Sequence, residues 1–581
     1  SDLAEWAGRA GGNPYYLHAM AYSLSMEVND VPVTFDIQRF AATAYYALGL
    51  DARAVFDTCI LLGPFATLQR VSRVAEIHGQ ALVGALRDLE ANGMVCAQGT
   101  TLRCAHALLE EASMGLIPHL VATLLRTRIA RELEEECGVA GYPADLSWAA
   151  ADHCIALGDI GTAARLLRRC ASQAAALGEP AAAAKALLHI PVERLELSDQ
   201  AAVLSELAEY CATATEYLQA ASALRSLRRI TLALERRGSS LREIDLRIAE
   251  AELHDGADPR VSIPILQAFV KDPESAGIFK VRAGAILLVA ADMDLNNSLA
   301  HQTYNLIGPE LAACPSTDYG WQRAELVFHT VFGDRTRALA AIDAQLRNHA
   351  TPDISQAGVQ QRRNIAYSLV RLGLYDRAKA ILRADFEFMT QRRVPSEATY
   401  RVALLSEIAL NEGDIDEARL WLGRQSDMVA ANPDFNTAIR AGYYSNAAEL
   451  ALFENRFVDA RKLADQAHCM YPAVSTPRYA AIALALQLRI EIKSTGRLAS
   501  QEPVKALNTL YCRGACLGMQ DEVVEALWLA ASAAGQSREA SRLLLEYLTV
   551  RRREIGPPRQ SLRSTTATDS AWAAWPACAA V

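Results

Sequence analysis

Three observations predict an all-α protein in which short helices and a small helix-and-hairpin module precede a long superhelix of helical hairpins. A glycine followed five residues later by alanine returns at steps of about 40 residues through the C-terminal half. Apolar residues recur at helical spacing along nearly the whole chain. Strand-like texture is confined to "MVCA" and "TLRCA", joined by a "QGT" turn. With 581 residues, 51% of them hydrophobic and 22% charged, there is material for three to five domains with buried cores.

Residues 1–48 open with "SDLAEWAGRA", which puts Leu3, Trp6, Ala7 and Ala10 on one helical stripe. A Gly-Gly-Asn-Pro turn comes next, and a second helix is expected from Tyr15 to about Met26, its first turn set by Pro14. Beyond a loop at "VNDVPVT" another helix completes this segment. A chain that begins inside an amphipathic helix, on Ser1, is expected to be part of something longer.

Residues 49–140 carry a different pattern. "LDARAVFDTCILLG", "TLQRVSRVAEI" and "QALVGALRDLEANG" each read as a helix, the last stopping at Asn92-Gly93. The two strand candidates come next. Three helices and then a hairpin is the pattern of a winged helix. Arg53, Arg70, Arg73, Arg87 and Arg103 are matched there by Asp51, Asp57, Glu76, Asp88 and Glu90. Groove-binding helices need a surplus of positive charge, so DNA binding by this region is not expected.

Residues 141–555 read as helix, short turn, helix throughout. The Gly/Ala phrase occurs at Gly158/Ala163, Gly333/Ala338, Gly373/Ala378, Gly413/Ala418 and Gly535/Ala540, with Asn455/Ala460 in the same phase. Gly496 keeps the phase without the alanine. From Gly333 the steps are 40, 40, 42, 41 and 39 residues. The glycine or asparagine lets the chain turn and the alanine lets the second helix approach the first, so each unit is a helical hairpin. Between Gly158 and Gly333 the register is not legible. Such units cannot fold singly; stacking buries a continuous core and winds a superhelix. Residues 556–581, which include Trp572 and Trp575, have no periodicity and are expected to be disordered.

Little in the chain speaks for catalysis. The phosphate loop, the His-Glu-x-x-His zinc motif and the Gly-x-Ser-x-Gly elbow are all missing, and the eleven histidines are dispersed. The twelve cysteines form no Cys-x-x-Cys pair, which favours a reduced, cytoplasmic protein without a zinc module. Cys512 and Cys516 lie four apart, but buried small hydrophobes are the favoured assignment over a metal site. No run reaches the ~18 apolar residues of a membrane span. Net charge is −9, so a general nucleic-acid footprint is absent. The arginine-rich stretch from Arg225 to Arg229 reads as a solvated helix face. Trp321, Tyr367, Tyr400, Tyr443 and Tyr444 fall in the first helices of successive hairpins, where packing is the favoured role and a ligand groove the alternative.

Two kinds of phrase carry a resemblance. "LVRLGLYDRAKAIL" and "ALNEGDIDEARLWL" resemble tetratricopeptide repeats, with the glycine, an apolar residue two on (Tyr375, Ile415) and the alanine. The standard unit is ~34 residues, so units of about 40 have longer helices. "AGGNPYYLHAM" resembles the Gly-x-Pro lid segment of STAND-class signalling ATPases. "TLRCAHALLEEAS" resembles the end of the winged helix in that class, where an Arg-x-x-His-x-Leu-Leu phrase leads into a helix. The order of lid, winged helix and repeats is shared to about residue 550. The resemblance implies that Pro14 packs near the adenine of a bound ADP or ATP and that His106 reaches its phosphates, in the intact parent only. Ala107 departs from the Asp of the NB-ARC form of the phrase. The same resemblance implies the regulatory portion of a bacterial STAND ATPase. Its repeats would bind a protein or small-molecule effector, and its winged helix would couple to a nucleotide-binding domain. That class carries output as a LuxR-type DNA-binding domain or a cyclase or kinase, and its parents can oligomerise. The rival reading is a tetratricopeptide-type adaptor that binds other proteins without nucleotide.

Overall fold

Helical periodicity is realised almost everywhere. The computed structural model describes residues 37–234, 239–273, 275, 277–315, 317–349, 356–391, 394–432, 435, 437–474, 477–514 and 520–554. Pro14, the Gly-Gly-Asn-Pro turn, Cys516 and the tail lie outside them. The fold is all-α: among the described residues the only named strands form one two-stranded antiparallel hairpin. Contacts divide the chain into two units. One runs to Gln173 and includes Ala186–Leu195; the other takes Ala174–Lys185 and everything from Glu196.

The first unit contains α1 (Ile37–Ala47), α2 (Leu50–Leu62), α3 (Leu68–Ala75), α4 (Gly79–Ala91), β1 (Val95–Gln98), β2 (Thr101–Cys104), α5 (Ala107–Met114), α6 (His119–Ala140) and α7 (Ala144–Leu157). Thr67 caps α3, its hydroxyl accepting from the Arg70 amide at 3.2 Å. Gly93 and Gly99 both take φ +63°, the first just past the end of α4 and the second at the hairpin turn. The hairpin register sets Val95 opposite Cys104 and Gln98 opposite Thr101. Thr67 bridges to Thr101, and the Leu102 amide donates to the Ala66 carbonyl at 2.7 Å, so the residues before α3 act as a third strand position. Val55, Phe56, Val71, Leu89, Met94 and Leu102 are buried residues of this module. The α3 arginines turn toward α6. Arg70 Nε reaches both Glu136 oxygens at 3.0 and 3.1 Å, and Arg73 pairs with Glu132 at 2.6 Å.

After α8 (Ile160–Ala176) and α9 (Pro180–Leu188), the second unit is a run of hairpins. They are α10 (Leu197–Thr213) with α11 (Tyr217–Ala233), α12 (Ser239–Asp255) with α13 (Pro259–Lys271), and α14 (Ile278–Met293) with α15 (Asn297–Ala313). Next come α16 (Tyr319–Val327) with α17 (Arg335–Asn348), and α18 (Gln356–Arg371) with α19 (Tyr375–Gln391). The array continues with α20 (Pro395–Glu412) and α21 (Ile415–Ala431), then α22 (Thr437–Phe453) and α23 (Phe457–Val474). The last pairs are α24 (Pro477–Thr495) with α25 (Glu502–Gly514) and α26 (Gln520–Ala533) with α27 (Ser537–Glu554). These are tetratricopeptide-like repeats wound as an α-solenoid.

One turn recurs. Gly373, Gly413, Gly496 and Gly535 take φ between +66° and +76°, and Asn455 takes +58°. At Gly413 the Asp414 amide bonds back to the Ala409 carbonyl at 2.9 Å and the Gly413 amide to Leu410, the Schellman pattern that ends a helix. The backbone also reveals the register that the sequence hides. Thr215 (φ +61°), Gly256 (+92°) and Leu295 (+53°) hold the same left-handed position. They lead to Gly333 at steps of 41, 39 and 38 residues. The alanine five residues on is fully buried at Ala220, Ala300, Ala338, Ala378, Ala418 and Ala460. Gly333 itself departs from the pattern: its φ is −114°. It comes after a π-helical turn at Phe328–Phe332, and a side chain there would meet His329 Nδ1 at 2.7 Å, so this glycine serves close approach rather than a left-handed turn.

Leu295 shows which force decides the turn. A left-handed conformation costs an L-residue about 1–2 kcal/mol. Yet Leu295 is 3% exposed and belongs to the core cluster of Ala481, Leu488 and Val523. Truncating a buried leucine costs about 2–5 kcal/mol, more than the strain released. Leu295→Gly is therefore expected to destabilise the second unit by about 1–3 kcal/mol in urea unfolding, whereas Asn455→Gly changes stability by a few tenths. A more stable Leu295→Gly protein would show that strain, not packing, dominates.

Candidate functional site

The inner surface of the solenoid borders a cavity of about 410 Å³. Its lining comes from α12, α14, α16, α18, α20, α22, α24 and α26 and from the π-turn after α16. These are the first helices of successive hairpins; the second helices stay behind them. Alternation of inner and outer helices is what the hairpin topology imposes, and it brings residues more than 200 positions apart onto one wall. Much of that wall is apolar, with Val289, Met293, Val331, Leu404, Ile482 and Leu486 among its members.

Five arginines also line the cavity, and each has a carboxylate partner. Arg363 meets Glu397 at 3.0 Å, Arg371 meets Glu407 at 3.5 Å, and Arg489 meets Glu449 at 2.7 Å and Glu525 at 3.0 Å. Arg323 pairs with Glu250, and Arg478 on α24 pairs with Asp292 on α14. Asp292 and Arg478 are 186 residues apart in sequence. Burial pushes the Asp292 carboxyl up, while Arg478 and Arg371 pull it down. His254 lies beside Arg323, with Nε2 3.1 Å from the guanidinium. Burial first, then Arg323 and Arg363, hold its pKa well below the usual histidine range, so it is neutral and accepts that bond.

Tyr367 joins the charges to the aromatic wall. Its hydroxyl accepts from Arg478, and its ring lies 4.6 Å from the Arg371 guanidinium and 5.7 Å from that of Arg478. Tyr400 similarly faces Arg363 at 5.1 Å. Of the five aromatics singled out in the sequence, these two line the cavity. Trp321, Tyr443 and Tyr444 instead pack against core clusters within the hairpins. The favoured packing role therefore holds for three, and Tyr367 and Tyr400 correct it. Helical phase explains the split: Tyr367 and Arg371 share the inner face of α18 with Arg363, four and eight residues away.

The π-turn supplies one more feature. Such turns interrupt α-helices mostly where a local structure serves a site. Here it places Thr330 and Val331 in the wall. The Thr330 hydroxyl oxygen is buried and has no hydrogen-bond partner among the described residues.

Other residues marked in the sequence lie elsewhere. His106 sits in the first unit as the N-cap of α5, where Nδ1 accepts from the Leu108 amide at 3.2 Å. Arg225 pairs with Glu252 at 2.6 Å and Arg228 with Asp245 at 2.5 Å, so the arginine stretch of α11 is matched by carboxylates of α12. Cys512 is exposed on α25, which corrects its assignment as a buried small hydrophobe. Among the described residues no group of His, Cys, Asp and Glu side chains is arranged to hold a metal, and no single helix is long and apolar enough to cross a membrane. The charged cavity was missed because its pairs join residues of different hairpins. The one legible signal was arginine recurring in the first helices, at Arg323 and Arg363, at a spacing equal to the repeat length.

Arg478→Met leaves Asp292 buried beside the more distant Arg371, and is expected to cost about 3–5 kcal/mol in urea unfolding. Adding Asp292→Asn removes the stranded charge and should return stability to within about 1–2 kcal/mol of the parent. Additive losses in the double variant would mean that the pair does not couple the two helices.

No protein-family model matches the chain, and no curated protein matches it. Among solved structures, it is similar to a signal transduction ATPase with numerous domains (STAND) protein with a tetratricopeptide repeat sensor from Pyrococcus horikoshii. That likeness covers 94% of this chain and 72% of the other at 11% identity, with a TM-score of 0.27. It is also similar to yeast Tom70, over 74% of this chain and 88% of the other at 12% identity, with a TM-score of 0.30. At these scores neither likeness adds to what the helices themselves show.

Proposed function

We propose that this chain is the sensor portion of a signalling protein, and that its solenoid receives a small-molecule effector in the interior cavity. The observation that carries this reading is the cavity itself. It is lined by the inner helices of eight successive hairpins, and about 410 Å³ falls within the range of small-molecule sites. Occupancy that touches several hairpins at once favours one curvature of the solenoid over others, which is how binding shifts a population.

In the same reading the first unit couples to a nucleotide-binding domain of STAND type, with ADP or ATP bound there. The support is the resemblance at "AGGNPYYLHAM" and "TLRCAHALLEEAS" together with the place of His106 at the N-terminus of α5. Pro14 would stand near the adenine. The charges of α3 do not favour DNA as the partner, since Arg70 and Arg73 are engaged by Glu136 and Glu132.

The test is thermal melting of the chain with size-fractionated cell metabolites below ~1 kDa, beside Leu404→Trp, in which the new ring occupies the cavity. At least one fraction is expected to raise the melting temperature of the parent by a few degrees and leave the variant unmoved. Stabilisation by peptide pools alone would favour the adaptor.

A further inference from the structure

We propose that the solenoid cavity selects an uncharged amphipathic small molecule, one with an apolar body and a hydrogen-bonding group, and discriminates against organic anions. This rests on the reading of the cavity as an effector site and names the class of effector.

Arginines in a cavity wall would ordinarily suggest an anionic ligand. The pairing argues otherwise. Arg323, Arg363, Arg371, Arg478 and Arg489 each already have a carboxylate within 3.5 Å. Arg489 has two, and the second, Glu525, also lies 3.7 Å from Lys493. Of the other titratable groups facing these charges, His254 is held neutral and Glu522 adds a further carboxylate that acts on Arg371. An incoming carboxylate or phosphate would have to draw a guanidinium off its partner and leave that partner buried and uncompensated. An incoming cation meets the same obstacle from the opposite side. The wall is electrically closed.

What remains open to a ligand is apolar surface and a few polar atoms. Val331, Leu404, Ile482 and Leu486 offer the body of a ligand dispersion contacts and shelter from water. Tyr367 and Tyr400, each with a guanidinium over its ring, add aromatic surface to the same wall. Thr330 supplies the specific feature. Its hydroxyl is buried, has no hydrogen-bond partner among the described residues and sits on the π-turn that forms part of the wall. A hydroxyl can donate or accept, so it satisfies a neutral carbonyl, ether, hydroxyl or amine equally. A pure hydrocarbon would leave it unsatisfied, which is why the class is amphipathic.

Two dyes with one skeleton separate the possibilities. N-phenyl-1-naphthylamine is neutral, and 8-anilino-1-naphthalenesulfonate is the same molecule bearing a sulfonate. Both brighten on leaving water. Each is titrated into the chain and into Leu404→Trp and Ile482→Trp, two variants that fill the cavity from different helices, with helicity checked by circular dichroism. The neutral dye is expected to saturate at about one site per chain, to lose at least tenfold in affinity in whichever variant retains its helicity, and to bind at least tenfold more tightly than the sulfonate. If the sulfonate binds as tightly or more tightly, and both dyes are lost from the variants, the cavity is a ligand site but the uncharged class is overturned. If neither dye saturates, or the variants bind as the parent does, the cavity is not a ligand site and the functional reading falls with the class.

Discussion

The second unit depends on buried guanidinium–carboxylate pairs that tie together hairpins far apart in sequence. The recurrent buried alanine closes each hairpin, and neighbouring hairpins hold one another by apolar packing that propagates along the array. The pairs do something packing cannot. Arg478 with Asp292 joins α24 to α14, and Arg323 with Glu250 joins α16 to α12. Once those charges are withdrawn from water each needs its partner in place, because a stranded buried charge costs more than an exposed pair contributes. The curvature of the solenoid is thus fixed by electrostatic necessity as well as by shape.

That constraint also keeps the interior from collapsing into a core. Side chains of five arginines and three tyrosines, Tyr367, Tyr400 and Tyr479, stand along the wall, held apart by their partners rather than interleaved. The result is a space whose polar groups are already oriented, so a ligand would find them preorganised and need not arrange them. The π-turn after α16 fits the same logic: it breaks the regular hydrogen-bond ladder at the point where Thr330 joins the wall.

The all-α fold and most of the hairpins were legible because a left-handed turn and a close helix approach demand particular residues. Gly373, Gly413 and Asn455 announce the turn, and the alanine five residues later announces the contact. Where Thr215 and Leu295 take the left-handed position instead, the pattern vanished from the sequence although Ala220 and Ala300 kept their places. Gly333 was legible for the wrong reason, since its spacing fits but its backbone is not left-handed. The site was less visible. Tyr367 and Tyr400 could be assigned to first helices, yet which aromatic faces inward depends on helical phase and on partners more than 100 residues away. Charge balance across the wall is a property of pairs, and a linear reading shows only singles.

Whether the interior of the solenoid is a place for a ligand is tested most directly by a crystal structure of the chain grown with N-phenyl-1-naphthylamine. Density for the dye is expected against Leu404, Ile482 and Tyr367, with the Arg478–Asp292 and Arg371–Glu407 pairs intact. Dye found only on the outer helices, or seated inside with those pairs broken, would contradict the electrically closed cavity proposed for this protein.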